Sequence, residues 1–280
     1  MGPAEGMTRA RAARAGSAPT LTVASRHLSG VLVSQVAARS VPGGRDSNED
    51  RVIVLPELVV LADGMGGHEG GELAAHAAVS AASAALLPPV TEPVVRVAFE
   101  DAGAAVHQVR HRQPRLVEAG CTLTVVALRP MVVAGSVRGL VAHVGDSPAF
   151  LVRRGQLQLL TQAHTVAAEL VRSGRLTEDE SQTHPGQHTL TRSVGVMGRQ
   201  GPEIRELELE PGDRILVASD GITAGPDRRE VRRLACAPGP VDEVIAELAD
   251  YLDATSSDNA TVALLDPWDE PDAATASHDG

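Results

Sequence analysis

Apolar and polar positions change texture several times along this chain, and each texture predicts an element. Val31 to Arg39 alternates apolar with polar, the period of a strand buried on one face, and a Pro42-Gly43-Gly44 loop separates it from a second run, Arg51-Val52-Ile53-Val54-Leu55. Leu58-Val59-Val60-Leu61 is apolar without a break and predicts a buried strand. Helical periodicity follows over about 70–87 and 91–112, split by Pro88-Pro89. Strand patterns then dominate over 121–128, 131–137, 139–144 and 149–153. A short amphipathic helix over 166–173 closes at Gly174, and the stretch to about 200 is polar and irregular. Strands over 204–209 and 213–218, a helix over 241–254 and a last strand over 260–265 complete the pattern.

Strands that follow one another directly, with helices bunched between them, favour an α+β domain with antiparallel sheets over alternating βαβ units. No internal repeat is visible, and the pattern predicts one domain over residues 28–266. The flanks differ in composition. Residues 1–27 are rich in Ala, Arg, Gly and Ser, and read as a disordered extension, a transit-peptide-like segment, or the result of a start upstream of Met7 or a later site. Residues 267–280 are acidic and contain proline, and read as a disordered tail.

Composition narrows the classes. With 43% hydrophobic but only 1% aromatic residues, the core must be built from Val, Leu, Ala and Ile. A formal charge of −11 argues against a nucleic-acid binder, which would carry a basic face. Cys121 and Cys236 have no metal-ligand spacing and cannot make a disulfide framework, so a reducing, cytoplasmic setting is expected. No apolar run approaches a membrane span, and a soluble monomer with no membrane partner is expected.

The chemistry-bearing residues sit at strand tips. Asp63 follows the buried run and precedes Gly64; Asp220 follows Arg214 to Ser219 and precedes Gly221; Asp146 follows Val144-Gly145; Asp258 precedes the last strand; Glu49 and Asp50 precede Arg51 to Leu55. An acid at a strand tip also caps a turn, and any one of these taken alone fits that role. Gathered at one sheet edge, they would repel unless a cation lay among them. All-oxygen donors without clustered His or Cys point to Mg²⁺ or Mn²⁺ rather than Zn²⁺.

Seven stretches, in order, resemble the protein phosphatase 2C family of metal-dependent protein serine/threonine phosphatases in its compact bacterial form. They are Arg45-Asp46-Ser47-Asn48-Glu49-Asp50, Ala62-Asp63-Gly64-Met65-Gly66-Gly67-His68, Gly120-Cys121-Thr122, Val144-Gly145-Asp146-Ser147, Leu190-Thr191-Arg192-Ser193-Val194-Gly195, Ala218-Ser219-Asp220-Gly221-Ile222 and Asp258-Asn259-Ala260-Thr261. The resemblance implies an αββα four-layer sandwich, two antiparallel sheets face to face with helices outside, and a flap near 161–198. It implies a dinuclear Mn²⁺ or Mg²⁺ centre with Asp63 bridging, the Gly64 carbonyl on one ion and Asp220 and Asp258 on the other. Glu49 and Asp50 would act through water, Asp146 with Asp220 would hold a weaker third ion, and Arg45 would bind the phosphate. A hydroxide shared by two such ions, its pKa lowered from about 15.7 toward about 7, would attack phosphorus in line.

The chain departs from that pattern in places. Met65 stands where eukaryotic relatives often carry a histidine proposed as proton donor, which leaves His68 as a candidate general acid, a helix cap, or a contact to water on the metal. Pro148 replaces the arginine that usually follows Gly-Asp-Ser, which fits a strand start. Cys121 reads as a small buried thiol. Ala163-His164-Thr165 stands in place of Asp-His-Ser, which weakens a role for His164, and His184 and His188 read as surface or packing residues. The resemblance implies phosphorylated protein substrates and an opposing serine/threonine kinase or its targets. Two other readings stay open: a non-catalytic phosphoprotein-binding scaffold, and a regulatory phosphatase dedicated to one anti-sigma-type partner.

Overall fold

The computed structural model describes residues 21–25, 34–133, 136–195 and 201–268. In chain order the strands are β1 Leu21–Ser25, β2 Ser34–Val41, β3 Arg51–Leu55, β4 Leu58–Ala62, β5 Gly64–Met65, β6 Gly120–Cys121, β7 Leu123–Val133, β8 Ser136–Val144, β9 Ala149–Arg153, β10 Gln156–Leu159, β11 Glu203–Leu209, β12 Arg214–Ala218 and β13 Ala260–Asp266. The helices are α1 His68–Ala85, α2 Glu92–Arg112, α3 Val166–Arg172, α4 Glu178–Ser181, α5 Arg228–Ala235 and α6 Val241–Thr255.

Pairing gathers these strands into a six-stranded sheet, β1-β2-β13-β12-β9-β10, and a five-stranded sheet, β11-β8-β7-β4-β3. Every pairing described is antiparallel. Alternation along the central strands explains the layers. On β4, Val59 and Leu61 face the other sheet while Leu58, Val60 and Ala62 pack under α1 and α2. On β12, Ile215 and Val217 face inward while Leu216 and Ala218 pack against α5 and α6. Strands covered on both faces read as unbroken apolar runs, as β4 does. The result is the α+β four-layer sandwich with helices outside, held almost wholly by aliphatic side chains and alanine.

Some boundaries differ from expectation. Leu21–Ser25, inside the segment expected to be disordered, pairs with β2 from Leu21 opposite Ala38 to Ser25 opposite Ser34; the remainder of the two predicted tails lies outside the described residues apart from Pro267 and Trp268. β7 runs through Pro130 as one strand with a register shift between Leu128 and Val132, where two strands were expected. Proline cannot donate to the ladder, and a local irregularity lets the strand continue past it. The polar stretch after Thr161 contains α3, capped by the Thr165 hydroxyl, and α4, opened by a Thr177–Glu180 capping box. A Thr165–Leu190 bridge ties its two ends together. Among the described residues no helix is long and apolar enough to cross a membrane.

Candidate active site

The acids do converge. Both sheets end at one cavity of about 710 Å³ lined by Arg45, Glu49, Asp63, Gly64, Asp146, Asp220 and Asp258. Asp63 and Asp146 leave β4 and β8 of one sheet, whereas Asp220 and Asp258 flank β12 and β13 of the other. Close backbone approach makes this convergence possible. A Cβ on Gly221 would lie 2.0 Å from the Asn259 carbonyl oxygen, so the turn carrying Asp220 rests directly on the one carrying Asp258. A Cβ on Gly64 would lie 2.3 Å from the Gly71 carbonyl oxygen, and one on Gly71 would lie 2.0 Å from Glu49 Oε2. The glycines around Asp63 thus let the first turn of α1, the Asp63 turn and Glu49 share a space that side chains would fill.

Asp50 lies behind this wall, 2% exposed. Its Oδ2 accepts hydrogen bonds from Ser219 Oγ at 2.7 Å and Thr261 Oγ1 at 2.8 Å. Upstream, Asn48 Nδ2 donates to Ser40 Oγ at 2.9 Å, and the Ser40 and Thr261 hydroxyls lie 2.6 Å apart. Since Thr261 gives its proton to Asp50, Ser40 must give its own to Thr261, so every donor in the chain points at the carboxylate. The other oxygen, Oδ1, is buried with no hydrogen-bond partner. Asn259 holds the loop before Asp50: its Nδ2 donates to Pro42 and Ser47 carbonyls at 3.1 and 2.7 Å, and its Oδ1 accepts from Glu49 N at 3.0 Å. Asp63 is fixed through its backbone, whose N–H donates to Thr122 Oγ1 at 2.9 Å while its carbonyl accepts from Thr122 N at 2.9 Å.

Crowding these acids makes their charge expensive. Burial pushes the Asp63 carboxyl well above the usual carboxylate range, and Asp50, Asp220, Asp146 and Asp258 push it further. Burial, then neighbouring Asp220, lifts Asp146 to about 7. Asp50 also rises to about 7, because burial outweighs its two hydroxyl donors. Arg45 is the cation among them, its Nη2 2.7 Å from Asp258 Oδ2.

Two histidines take places that sequence reasoning did not give them. His188, expected at the surface or in packing, lines the acid cavity with Nδ1 3.5 Å from Asp220 Oδ2. It offers a ligand atom within 4.8 Å of Asp146 and Asp220. Nothing in its spacing could have shown this, because the contact joins the flap to a distant strand end. His164 is wholly buried and joins four segments. Its backbone N–H donates to the Gly145 carbonyl at 2.9 Å, and its Nδ1 accepts from Gly145 N at 3.0 Å. Nε2 therefore carries the proton and donates to Glu203 Oε1 at 2.9 Å, where Arg192 Nη1 also donates at 2.9 Å. Burial lowers the His164 pKa to about 4, so the ring is neutral. His143 stacks on it, ring centres 4.6 Å apart. The guanidinium of Arg192 supplies the cation that this second His143–His164–Glu203 donor set would otherwise invite. His164 so anchors the turn that presents Asp146. His164→Ala is expected to cost roughly 1–3 kcal/mol from the orphaned Gly145 N–H, read as a lower melting temperature, with His164→Asn recovering part of it.

The remaining predicted residues are placed as follows. Pro148 directly precedes β9. Cys121 is fully buried, its thiol raised by burial and by Asp63. His68 opens α1, but its side chain lies outside the described residues.

Two sheets thus bring an oxygen-donor cluster and one arginine to a common edge, a donor set that fits hard divalent cations. Residues 46–266 match the family model for protein phosphatase 2C. Protein phosphatase PhpP of Streptococcus pneumoniae is 30% identical over 215 residues, 74% of this chain and 85% of that protein. The serine/threonine phosphatase MsPP of Mycobacterium smegmatis, solved with cacodylate, superposes with a TM-score of 0.73 at 33% identity, covering 86% of this chain and all of that one. The catalytic domain of the phosphatase PstP, solved with two manganese ions, gives 0.73 at 30% identity over 85% of this chain and 100% of that one. The chain belongs to the protein phosphatase 2C family.

Proposed function

We propose that this chain removes phosphate from phosphoserine and phosphothreonine of proteins in one hydrolytic step at the acid cavity, with two divalent cations, Mn²⁺ or Mg²⁺, held there. The observation that carries this reading is the buried, unpartnered Asp50 Oδ1 behind a cluster of carboxylates that raise one another's pKa. Such a donor set fits a hard cation and little else. Asp63, the Gly64 carbonyl, Asp220 and Asp258 would hold the ions directly, with Glu49 and Asp50 acting through water and Asp146 toward a weaker third position. When bound, the ions supply a water acidified to near neutrality and neutralise charge on the phosphoryl group.

The chain's own groups do the rest. Arg45, 58% exposed at the cavity rim, can turn its fork to two phosphate oxygens and hold the ester. The hydroxyls of Ser219 and Thr261 keep Asp50 oriented, and Thr122 keeps the Asp63 turn in place. His188 on the cavity wall supports a role in protonating the leaving alkoxide, and His68 at the start of α1 is proposed for the same role from its place in the sequence. The substrates are phosphorylated proteins, among them a serine/threonine kinase or its targets in the cytoplasm, met by a monomer.

Hydrolysis of p-nitrophenyl phosphate and of a phosphothreonine peptide should require Mn²⁺ or Mg²⁺ and stop in EDTA; turnover that survives EDTA would overturn the reading. Arg45→Ala is expected to raise KM for the phosphopeptide by about tenfold or more, the scale of one charge-assisted fork. An unchanged KM would remove Arg45 from the phosphate site.

A further inference from the structure

A second cavity, about 740 Å³, runs beside the acid cavity between the β9–β10 hairpin, the flap helices and α5. The two adjoin, with Asp146 and His188 as a shared wall. Their chemistry differs. Where the first is walled by carboxylates, the second sets Pro148, Phe150, Leu157, Leu159, Val171 and Ile222 among polar and charged groups, Arg172, Glu178 and Arg228 included. Leu159 is 56% exposed, one of few large apolar side chains left open among the described residues, and it sits on the edge strand β10. Leaving such a side chain in water is disfavoured, and a contiguous apolar patch beside a charged site marks a binding surface. Pro148, directly after the Asp146-Ser147 turn, contributes to the apolar character.

We propose that this trench holds the polypeptide flanking the phosphorylated residue and selects a large apolar side chain there, a reading that rests on the phosphatase function above. A phosphoserine or phosphothreonine seated at Arg45 cannot end in the cavity, because its chain must continue outward. The route past Asp146 and His188 leads to the apolar side chains of this trench. One apolar side chain buried there discriminates by about 10-fold or more over a small polar one. The substrate class is therefore a phosphoprotein segment with Leu, Ile, Met or Phe within the first few residues on one side of the phosphate. A phosphorylated site flanked only by polar residues is a poor substrate.

The test uses the full chain with Mn²⁺ and phosphothreonine peptides of equal length and charge, with Leu or Ser placed in turn at each flanking position. Turnover is measured as kcat/KM, and peptide affinity by fluorescence anisotropy. A preference for Leu of about 10-fold or more on one side is expected. Leu159→Asp and Val171→Ser should each reduce that preference severalfold, while p-nitrophenyl phosphate, which has no flanking chain, is hydrolysed at the wild-type rate. Equal rates for Leu and Ser peptides, or a preference unchanged in both variants, would overturn the proposal. A rise in both variants toward every substrate would also overturn it, because it would mean that a segment of this chain covers the trench. If p-nitrophenyl phosphate is not hydrolysed at all, the phosphatase reading fails instead, and the anisotropy series still decides the trench.

Discussion

Asp63→Asn is expected to lower turnover by about 10³-fold or more and, at the same time, to raise the melting temperature of the metal-free protein. The two effects have one cause. Burial and four neighbouring acids all oppose a charge on Asp63. The amide keeps the shape and leaves both backbone hydrogen bonds to Thr122 intact, so the turn after β4 stays in place. What disappears is the carboxyl group, and with it both the cost of holding it, charged or protonated, inside the fold and a ligand that the proposed cations would use. Steady-state hydrolysis of p-nitrophenyl phosphate with Mn²⁺, beside calorimetry in EDTA, measures both. A variant that keeps wild-type turnover, or that melts lower than wild type without metal, contradicts the assignment. Sites built for function often oppose stability in this way.

A second large effect is expected from metal removal, and its sign follows from the titrations. Asp50 and Asp146 hold their protons to about 7, against an ordinary value of 3.8. Between about pH 4 and pH 7 the folded, metal-free protein therefore binds more protons than the unfolded chain does, and its stability falls as pH rises through that window. A divalent cation replaces those protons as the counter-charge. Saturating Mn²⁺ should thus raise the melting temperature little at pH 5 and by roughly 5–10 °C at pH 7.5, taking metal at about 100 times its Kd. Differential scanning fluorimetry at the two pH values, with Mn²⁺ and with EDTA, reads the difference. A metal-induced shift of equal size at both pH values would mean that these carboxylates do not exchange protons for metal.

Much of this architecture was legible in the chain because strong local signals agreed with the global fold. The unbroken Leu58 to Leu61 run, the split helices about Pro88-Pro89 and the ordered Asp-Gly motifs each report on residues close in sequence. Convergence of the acids followed from their shared place at strand tips, which needs only the pleated sheet and its edge. What stayed hidden depends on contacts between segments far apart. His188 meets Asp220 only because the flap folds back, and polar sequence reports exposure, not direction. The weight carried by His164 was concealed for a similar reason: its partners Gly145, Arg192 and Glu203 come from separate segments, and the ring is buried because all of them are satisfied at once. The Leu21–Ser25 strand was missed because an alanine- and arginine-rich flank outweighed a short apolar stretch that is recognisable as a strand through its pairing with β2.

The acids of the cavity come from both sheets, and this gives the core a second task. Val59, Leu61, Ile215 and Val217, all wholly buried between the sheets, act as a spacer that sets how far Asp63 stands from Asp220. Close-packed interiors do not stretch; they shift. Removing a methyl group from that layer would therefore loosen the jaws of a caliper, and the change would reach cation affinity as well as folding.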